Sequence, residues 1–281
     1  MKKLVLIGHP LGHSLSPVMH NAALRELGLD DQYRYELRPV YEHELENIVA
    51  SIQNEELAGA NVTIPYKSKI MRHLSDISED ARAIGSVNTL VRIDKEVRGY
   101  NTDVSGFIHS MADHSISLRG KRAIILGAGG AARAIAYALV KEGVTQLDLV
   151  NRTLHNSQKL VDDLSLKEYC DVKLWSMHSI NLTSDNSDLL INCTPIGMTG
   201  HSISKTPVKA DFLHRDMIVT DLVYNPRMTK LLQMAEREGC TIIDGIGMLV
   251  HQGAQALELW TNEKPPIETM KRSVIDVLGG K

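Results

Sequence analysis

Residues Asn61-Val-Thr-Ile-Pro-Tyr-Lys67 set two amide or hydroxyl groups and one amine within a single short stretch. Pro65 has no backbone N–H and favours an extended residue before it, so the sequence predicts a strand over Val62–Ile64 that stops there. On a strand Asn61 and Thr63, two apart, face the same way. Lys67 follows just past the strand end, where a flexible ammonium can reach whatever that face holds. Such a convergence suits a small, polyhydroxylated, anionic molecule. The alternative is an ordinary surface turn.

A second stretch, Gly127-Ala-Gly-Gly-Ala-Ala132, directly follows the apolar run Ala123–Leu126 and opens a helical pattern. This is the G-x-G-x-x-A form of the dinucleotide fingerprint. Gly127 permits the tight turn, Gly129 lets the backbone approach a pyrophosphate, and Ala132 permits close helix–sheet packing. The helix N-terminus supplies unpaired N–H groups and partial positive charge to the phosphates. An NAD site usually carries Asp or Glu at the end of the next strand. Here that strand ends Leu149-Val-Asn-Arg-Thr153, and Arg152 offers a planar guanidinium matched to a 2′-phosphate. NADP is therefore favoured over NAD.

Positioning these residues requires alternating strands and helices. Strands are predicted at 4–7, 33–37, 62–64, 89–93 and 96–99, the last two as a hairpin around Asp94-Lys95. Ser16-Pro17 reads as a capping serine and first-turn proline of a helix that Gly28 ends, and 42–52 reads as a second helix. A second series starts at Lys121: strands 123–126, 146–150, 188–191 and 217–220, with helices 131–142 and 154–166. Its regular βαβ alternation implies right-handed crossovers and an open, mostly parallel sheet. Helices are also predicted at 246–260 and after Pro265-Pro266. The polar stretch Asp113–Gly120 lies between the two series, and 102–112 reads as a connecting helix. The expected division is residues 1–102, joined by returning helices in 246–281, and residues 103–245.

At 281 residues, with 43% hydrophobic and 23% charged residues, the chain suits two soluble globular domains. A net charge of −3 argues against broad capture of nucleic acid or anionic membrane. Cys170, Cys193 and Cys240 show no CxxC spacing or disulfide framework and point to a cytosolic setting. The apolar run near the N-terminus is too short for a signal sequence or a membrane span. His9, His13 and His20 cluster, but no Cys or acidic residue completes a metal-ligand spacing, so no metal is expected. His13 is assigned to supporting the serine loop.

With both sites read, the chain resembles the shikimate dehydrogenase family from Gly8 to about Gln255. The resemblance is carried by Gly8-His-Pro-Leu-Gly-His-Ser-Leu-Ser-Pro17, Asn61 to Lys67, Gly85-Ser-Val-Asn-Thr89, Gly99-Tyr-Asn-Thr-Asp-Val-Ser-Gly106 and Gly127 to Ala131. It continues through Asn151-Arg-Thr153, Asn192-Cys-Thr-Pro-Ile-Gly-Met198, Asp221-Leu-Val-Tyr-Asn-Pro226, Asp244-Gly-Ile-Gly-Met248 and His251-Gln-Gly-Ala-Gln255. It implies reversible reduction of 3-dehydroshikimate to shikimate with NADPH, a step of chorismate and aromatic amino-acid biosynthesis. It also implies an N-terminal α/β substrate domain, a Rossmann-type doubly wound NADP domain, and C-terminal helices returning to the first.

Carried over residue by residue, it makes Lys67 and Asp103 the catalytic pair. Ser14, Ser16, Asn61, Thr63, Asn88, Tyr224, Gln252 and Gln255 would join them in holding the substrate's carboxylate and hydroxyls. Gly127, Ala128, Gly129, Gly130, Ala131, Asn151, Arg152, Thr153, Thr194, Pro195, Gly197, Met198, Leu222, Gly245 and Met248 would line the cofactor. Lys67 would either donate the proton to the ketone or stabilise the developing alkoxide, two roles that the sequence leaves open. The partner expected is a small molecule, and the chain is expected as a monomer or homodimer. The enzymatic alternative is a quinate/shikimate dehydrogenase using NAD. A catalytically silent dinucleotide-binding regulator is disfavoured by the presence of both Lys67 and Asp103.

One departure bears on the cofactor. The family often has a second basic residue three positions after the threonine of Asn-Arg-Thr, and here that position is Asn156. The grip on a 2′-phosphate becomes one-sided unless Lys159 reaches it. Arg152→Ala should therefore remove a charge-assisted contact of about 1.5–3 kcal/mol and lower NADP affinity roughly ten- to a hundredfold. NAD affinity, measured beside it by fluorescence titration, should barely change. Equal losses for the two cofactors would mean that Arg152 stacks on the adenine instead.

Overall fold

The apolar residues Leu4 to Ile7 are buried on both faces of a strand, β1 (Lys2–Gly8), at the heart of the first of two sheets. A computed structural model describes residues 1–12, 14–177, 187–200 and 202–279. It divides into two compact units, Met1–Gly106 with the chain from Val250 onward, and Phe107–Leu249. His13 lies outside the described residues, and with it the role assigned to it in the serine loop.

In the first unit β1 is followed by α1 (Ser16–Glu26), β2 (Tyr33–Pro39), a 3-10 turn at Glu42–Glu44, and α2 (Leu45–Gln53). Then come β3 (Gly59–Val62), β4 (Asp76–Ile77), α3 (Glu79–Ile84), the hairpin β5 (Thr89–Ile93) and β6 (Glu96–Tyr100), and α4 (Asp103–Asp113), whose first turn belongs to this unit. Among the described residues these strands form a six-stranded sheet in the order β2-β1-β3-β5-β6-β4. β1 pairs in parallel with β2 and β3, whereas β5 runs antiparallel to both β3 and β6. Asn61 lies opposite Thr89, and Thr89 opposite Tyr100. The end of β3, the start of β5 and the end of β6 therefore meet at one end of the sheet.

The second unit continues with β7 (Arg122–Leu126), α5 (Gly130–Lys141), β8 (Gln146–Asn151), α6 (Leu154–Asp163), β9 (Asp171–Ser176), β10 (Leu189–Asn192), β11 (Ile218–Asp221), α7 (Lys230–Arg237) and β12 (Thr241–Ile243). Among the described residues all pairings of this sheet are parallel, in the order β9-β8-β7-β10-β11-β12, which is the doubly wound dinucleotide-binding order. Ile124, Ile125 and Leu126 of β7 are fully buried, as a central strand covered on both faces requires. α8 (Ile246–Thr261) and α9 (Ile267–Val277) end the chain, and α9 packs on α1 within the first unit. Among the described residues no helix is long and apolar enough to cross a membrane.

Two local expectations are corrected. The strand expected at 62–64 lies earlier, at Gly59–Val62, because it is paired on both sides by β1 and β5, whereas Ile64 is 69% exposed. Thr63 is thus beyond the strand and does not share a strand face with Asn61. Ser16 does not cap α1 but is its first residue; its N–H donates to the Ser14 Oγ at 3.3 Å. β4, α3, β9, α7 and β12 have no counterpart among the expected elements, and α6 ends at Asp163, three residues short of the expected 166.

β3 also shows what the returning helix demands. The Trp260 indole N–H donates to the Leu90 carbonyl at 2.9 Å, directly over Gly59. A Cβ on Gly59 would stand 2.3 Å from the Trp260 Nε1 and 2.9 Å from the Leu90 oxygen. Gly59→Ala must displace the indole and break that bond, and should destabilise the fold by about 2–4 kcal/mol. Urea melts of the two proteins read this; an unchanged midpoint would show that Trp260 yields without cost.

Candidate active site

Lys67 is held by the turn that follows β3. The Tyr66 N–H bonds the Thr63 carbonyl at 2.9 Å, the Tyr66 hydroxyl bonds the Val40 carbonyl at 2.9 Å, and the Val87 N–H bonds the Lys67 carbonyl at 2.8 Å. Asp103 opens α4, where the partial positive charge of a helix N-terminus favours a carboxylate. Its backbone N–H bonds the Asn101 Oδ1 at 3.0 Å, and the Asn101 amide is tied to the Ser86 carbonyl at 2.8 Å. Lys67 Nζ and Asp103 Oδ2 meet at 2.5 Å, with side chains only 16% and 6% exposed.

Asn88 completes the carboxylate's shell. Its Nδ2 donates to Asp103 Oδ1 at 2.8 Å and to Thr102 Oγ1 at 2.9 Å, while its Oδ1 accepts from the Thr102 N–H at 2.8 Å. Asn61 stands behind it, donating from Nδ2 to the Asn88 carbonyl at 3.1 Å and to Thr89 Oγ1 at 3.0 Å. Both asparagines thus spend both amide hydrogens on protein groups. Either would reach a substrate through a further bond at its oxygen, or by releasing a partner.

Other residues of the expected substrate set lie in the same unit. Ser14 Oγ donates to Ser16 Oγ at 3.1 Å, and Ser105 Oγ donates to Gln255 Oε1. The first turn of α4 crosses α8 at Gly106, where a Cβ would stand 2.8–2.9 Å from the Cβ and N of Gln252. His20 is fully buried, stacked on Tyr35 at 4.2 Å, and burial alone pushes its imidazole down to about 3, so it carries no charge there. Tyr224 lies half-buried after β11 in the second unit.

The dinucleotide motif takes the form its glycines require. Gly127 turns at φ +109°, with its N–H on the Val150 carbonyl at 2.8 Å. Gly129 caps α5, and the place where its Cβ would be is open space, which leaves room for a phosphate against the backbone. Ala132 is fully buried against the sheet. Asn151 Nδ2 braces the next turn through the Thr153 carbonyl at 3.1 Å, and Arg152, Thr153 and Asn156 are exposed. Lys159 is engaged elsewhere: Asp163 holds it at 2.9 Å and holds Arg133 at 3.0 Å.

A second set of residues shapes the loops after β10 and β11; the sequence points to Thr194, Leu222 and Gly245 there, but not to Asn192, Asp221 and Thr229. Asn192 Oδ1 accepts from the Thr194 N–H at 3.0 Å and its hydroxyl at 2.6 Å. Asn192 Nδ2 donates to the Ile196 carbonyl at 3.2 Å and to Asp221 Oδ1 at 2.8 Å. Asp221, fully buried, also accepts from the Val223 N–H at 3.0 Å and the Thr229 hydroxyl at 2.7 Å. Gly245 approaches this loop so closely that a Cβ would stand 2.7 Å from the Leu222 oxygen. The signal was present: an aspartate ending the buried strand Ile218-Val-Thr-Asp221 must find partners.

Three family models match the chain: "Shikimate dehydrogenase substrate binding domain" over residues 6–90, "Shikimate / quinate 5-dehydrogenase" over 110–230, and "Shikimate 5'-dehydrogenase C-terminal domain" over 245–275. The shikimate dehydrogenase (NADP(+)) of Alkaliphilus metalliredigens is 42% identical over 273 residues, spanning 96% of this chain and 95% of that protein. A crystal structure of a shikimate dehydrogenase in complex with NADP+ superposes with a TM-score of 0.92 at 39% identity, covering 99% of this chain and 96% of that one. The Thermus thermophilus enzyme in complex with NADP(H) and shikimate gives 0.87 at 32% identity, covering 98% and 99%.

Burial pushes the Asp221 carboxyl up to about 6, against the lowering effect of its three hydrogen bonds. An unfolded aspartate titrates near 3.9, so the native chain takes up this proton first as pH falls. The resulting stabilisation is complete below about pH 4 and is lost as pH rises through about 6. Stability of the wild type relative to Asp221→Asn should therefore fall by about 2–3 kcal/mol between those limits and level off above them. Paired urea melts across that range test it, and a difference independent of pH would refute it.

Proposed function

The chain belongs to the shikimate dehydrogenase family, and we infer that it reduces 3-dehydroshikimate to shikimate reversibly, with NADP(H), using Lys67 and Asp103 as its catalytic pair. The observation that carries this reading of the site is the nearly buried Lys67–Asp103 contact, with Asn88 on the second carboxylate oxygen. Two unlike charges withdrawn from water and individually hydrogen-bonded are costly to maintain for stability alone. They suit a group that must meet charge as it develops.

NADPH, when bound, supplies the hydride. The exposed Arg152 meets the 2′-phosphate, and the backbone from Gly127 to Ala131 meets the pyrophosphate. Asn151, Thr153, Thr194, Pro195, Gly197, Met198, Leu222, Gly245 and Met248 form the remaining contacts. Reduction of a ketone places negative charge on its oxygen, and the Lys67 ammonium donates to that oxygen while Asp103 orients the ammonium and shares the resulting hydroxyl. Ser14 and Ser16 hold the carboxylate, with Thr63, Asn61, Asn88, Gln252 and Gln255 around the ring hydroxyls. The net charge of −3 and the lack of any CxxC spacing or disulfide framework support a cytosolic enzyme acting on small molecules rather than nucleic acid.

The test is steady-state reduction of NADP+ by shikimate, with quinate and NAD+ in parallel. Shikimate with NADP+ should give the highest kcat/KM of the four combinations. Lys67→Ala should lower kcat by orders of magnitude while the shikimate KM stays within a few-fold, because its bond is strongest to the charge that develops during the reaction. Near-normal turnover in that variant would remove Lys67 from the mechanism.

A further inference from the structure

We propose that Tyr35 is a positioning residue for the catalytic pair, acting through a buried chain of hydrogen bonds whose donors all point toward Asp103. The inference rests on Lys67 and Asp103 being that pair. Its direction follows from the groups that can only accept or only donate. The Asn88 carbonyl can only accept, so it fixes the Asn61 amide with its NH2 toward Asn88 and Thr89. The Asn61 oxygen then faces Tyr35, and the phenol must be the donor, at 2.7 Å.

Thr89 Oγ1, having accepted from Asn61, gives its hydrogen to Asn88 Oδ1 at 3.0 Å. The Thr102 backbone N–H, which can only donate, points Asn88 Oδ1 the same way. That leaves the Asn88 NH2 for Thr102 Oγ1 and Asp103 Oδ1. The Thr102 hydroxyl lies 3.2 Å from Asn88 Oδ1 and closes a side loop without reversing the main path. Every residue from Tyr35 to Asp103 along this path is at most 6% exposed, so water has little access to replace a missing donor.

Tyr35 is itself clamped. Its N–H and C=O bond the Asn21 side chain, each at 2.9 Å, and its ring stacks on the uncharged His20 imidazole with planes 11° apart. Removal of the phenol oxygen would take from Asn61 the bond that opposes its rotation. A rotated Asn61 releases Thr89, and Asn88 then loses one of the donors that orient its NH2 toward Asp103.

Tyr35→Phe keeps the ring and its stack; Thr89→Val cuts the same path at its middle, and Thr89→Ser keeps the hydroxyl. In shikimate oxidation with NADP+, Tyr35→Phe and Thr89→Val should each lower kcat about three- to tenfold, with KM within about twofold. Their double variant should be no slower than the slower single, because a path cut twice is still one path. Thr89→Ser should keep wild-type turnover. Losses that multiply in the double variant, an unchanged kcat in Tyr35→Phe, or a rise in KM alone would overturn the proposal, the last by making Asn61 a substrate ligand only. The free protein gives a readout without turnover: the 13C-carboxyl resonance of Asp103, assigned by its loss in Asp103→Asn. It should move in Tyr35→Phe, and a stationary resonance also overturns the path. A wild type inert toward shikimate would sink the reading of the function, and the resonance would still decide the path.

Discussion

An ammonium and a carboxylate withdrawn from water dictate much of the first unit. Such a pair is stable only where both charges are individually satisfied, because desolvation otherwise exceeds the attraction between them. Here Asp103 receives Lys67 on one oxygen and Asn88 on the other, at the first turn of α4. The three contributing segments are far apart in the chain, and the sheet order brings them together. β3, β5 and β6 are neighbours, with β5 antiparallel to both, so the turn carrying Lys67, the residue before β5 and the residues after β6 share one end of the sheet. Backbone bonds from Val87 to Lys67 and from Asn88 to Tyr100 then lock the segments together.

The second unit meets a related constraint with one charge instead of two. Among the described residues no cation pairs with Asp221; an amide, a backbone N–H and a hydroxyl stand in for one. Those donors come from the ends of β10 and β11 and from the start of α7, so the carboxylate draws together the loops that follow the two strands. Gly245 lets the backbone pass within touching distance of the same turn. Buried polar bonds shape these loops, and Asn192, Asp221 and Thr229, which make them, are not among the residues expected to touch the ligand.

Charge around α6 is distributed unevenly. Arg152 is exposed ahead of the helix, whereas Asp163 at its far end engages Lys159 from the same helix and Arg133 from α5. These two cations, Lys159 first, hold the Asp163 carboxyl below its ordinary range. A lysine on a helix leans toward the N-terminus by default, and the carboxylate one turn later draws this one the other way. With asparagine at 156, that position adds no second cation beside the exposed Arg152 at the start of this helix.

Local chemistry already written in the chain includes the glycine turn after a buried strand, the absence of an acid beside Arg152, the alternation that builds a parallel sheet, and the lysine just beyond Pro65. Each depends on neighbours within a few residues, where dihedral limits and hydrogen-bond inventory act directly. The motifs also carried the family, and with it Asp103 as the partner of Lys67. Tertiary structure decided the rest. β3 begins at Gly59 because two neighbouring strands pair it there, a preference that Gly-Ala does not advertise. Asn61 turns its amide inward because the hydroxyl of Tyr35 arrives from β2 and the carbonyl of Asn88 from the segment ahead of β5. Asp221 is tolerated in a fully buried position because Asn192 and Thr229 reach it from other segments. In each case the deciding partner is distant in sequence, and a polar group's role depends on which donors and acceptors the fold delivers to it.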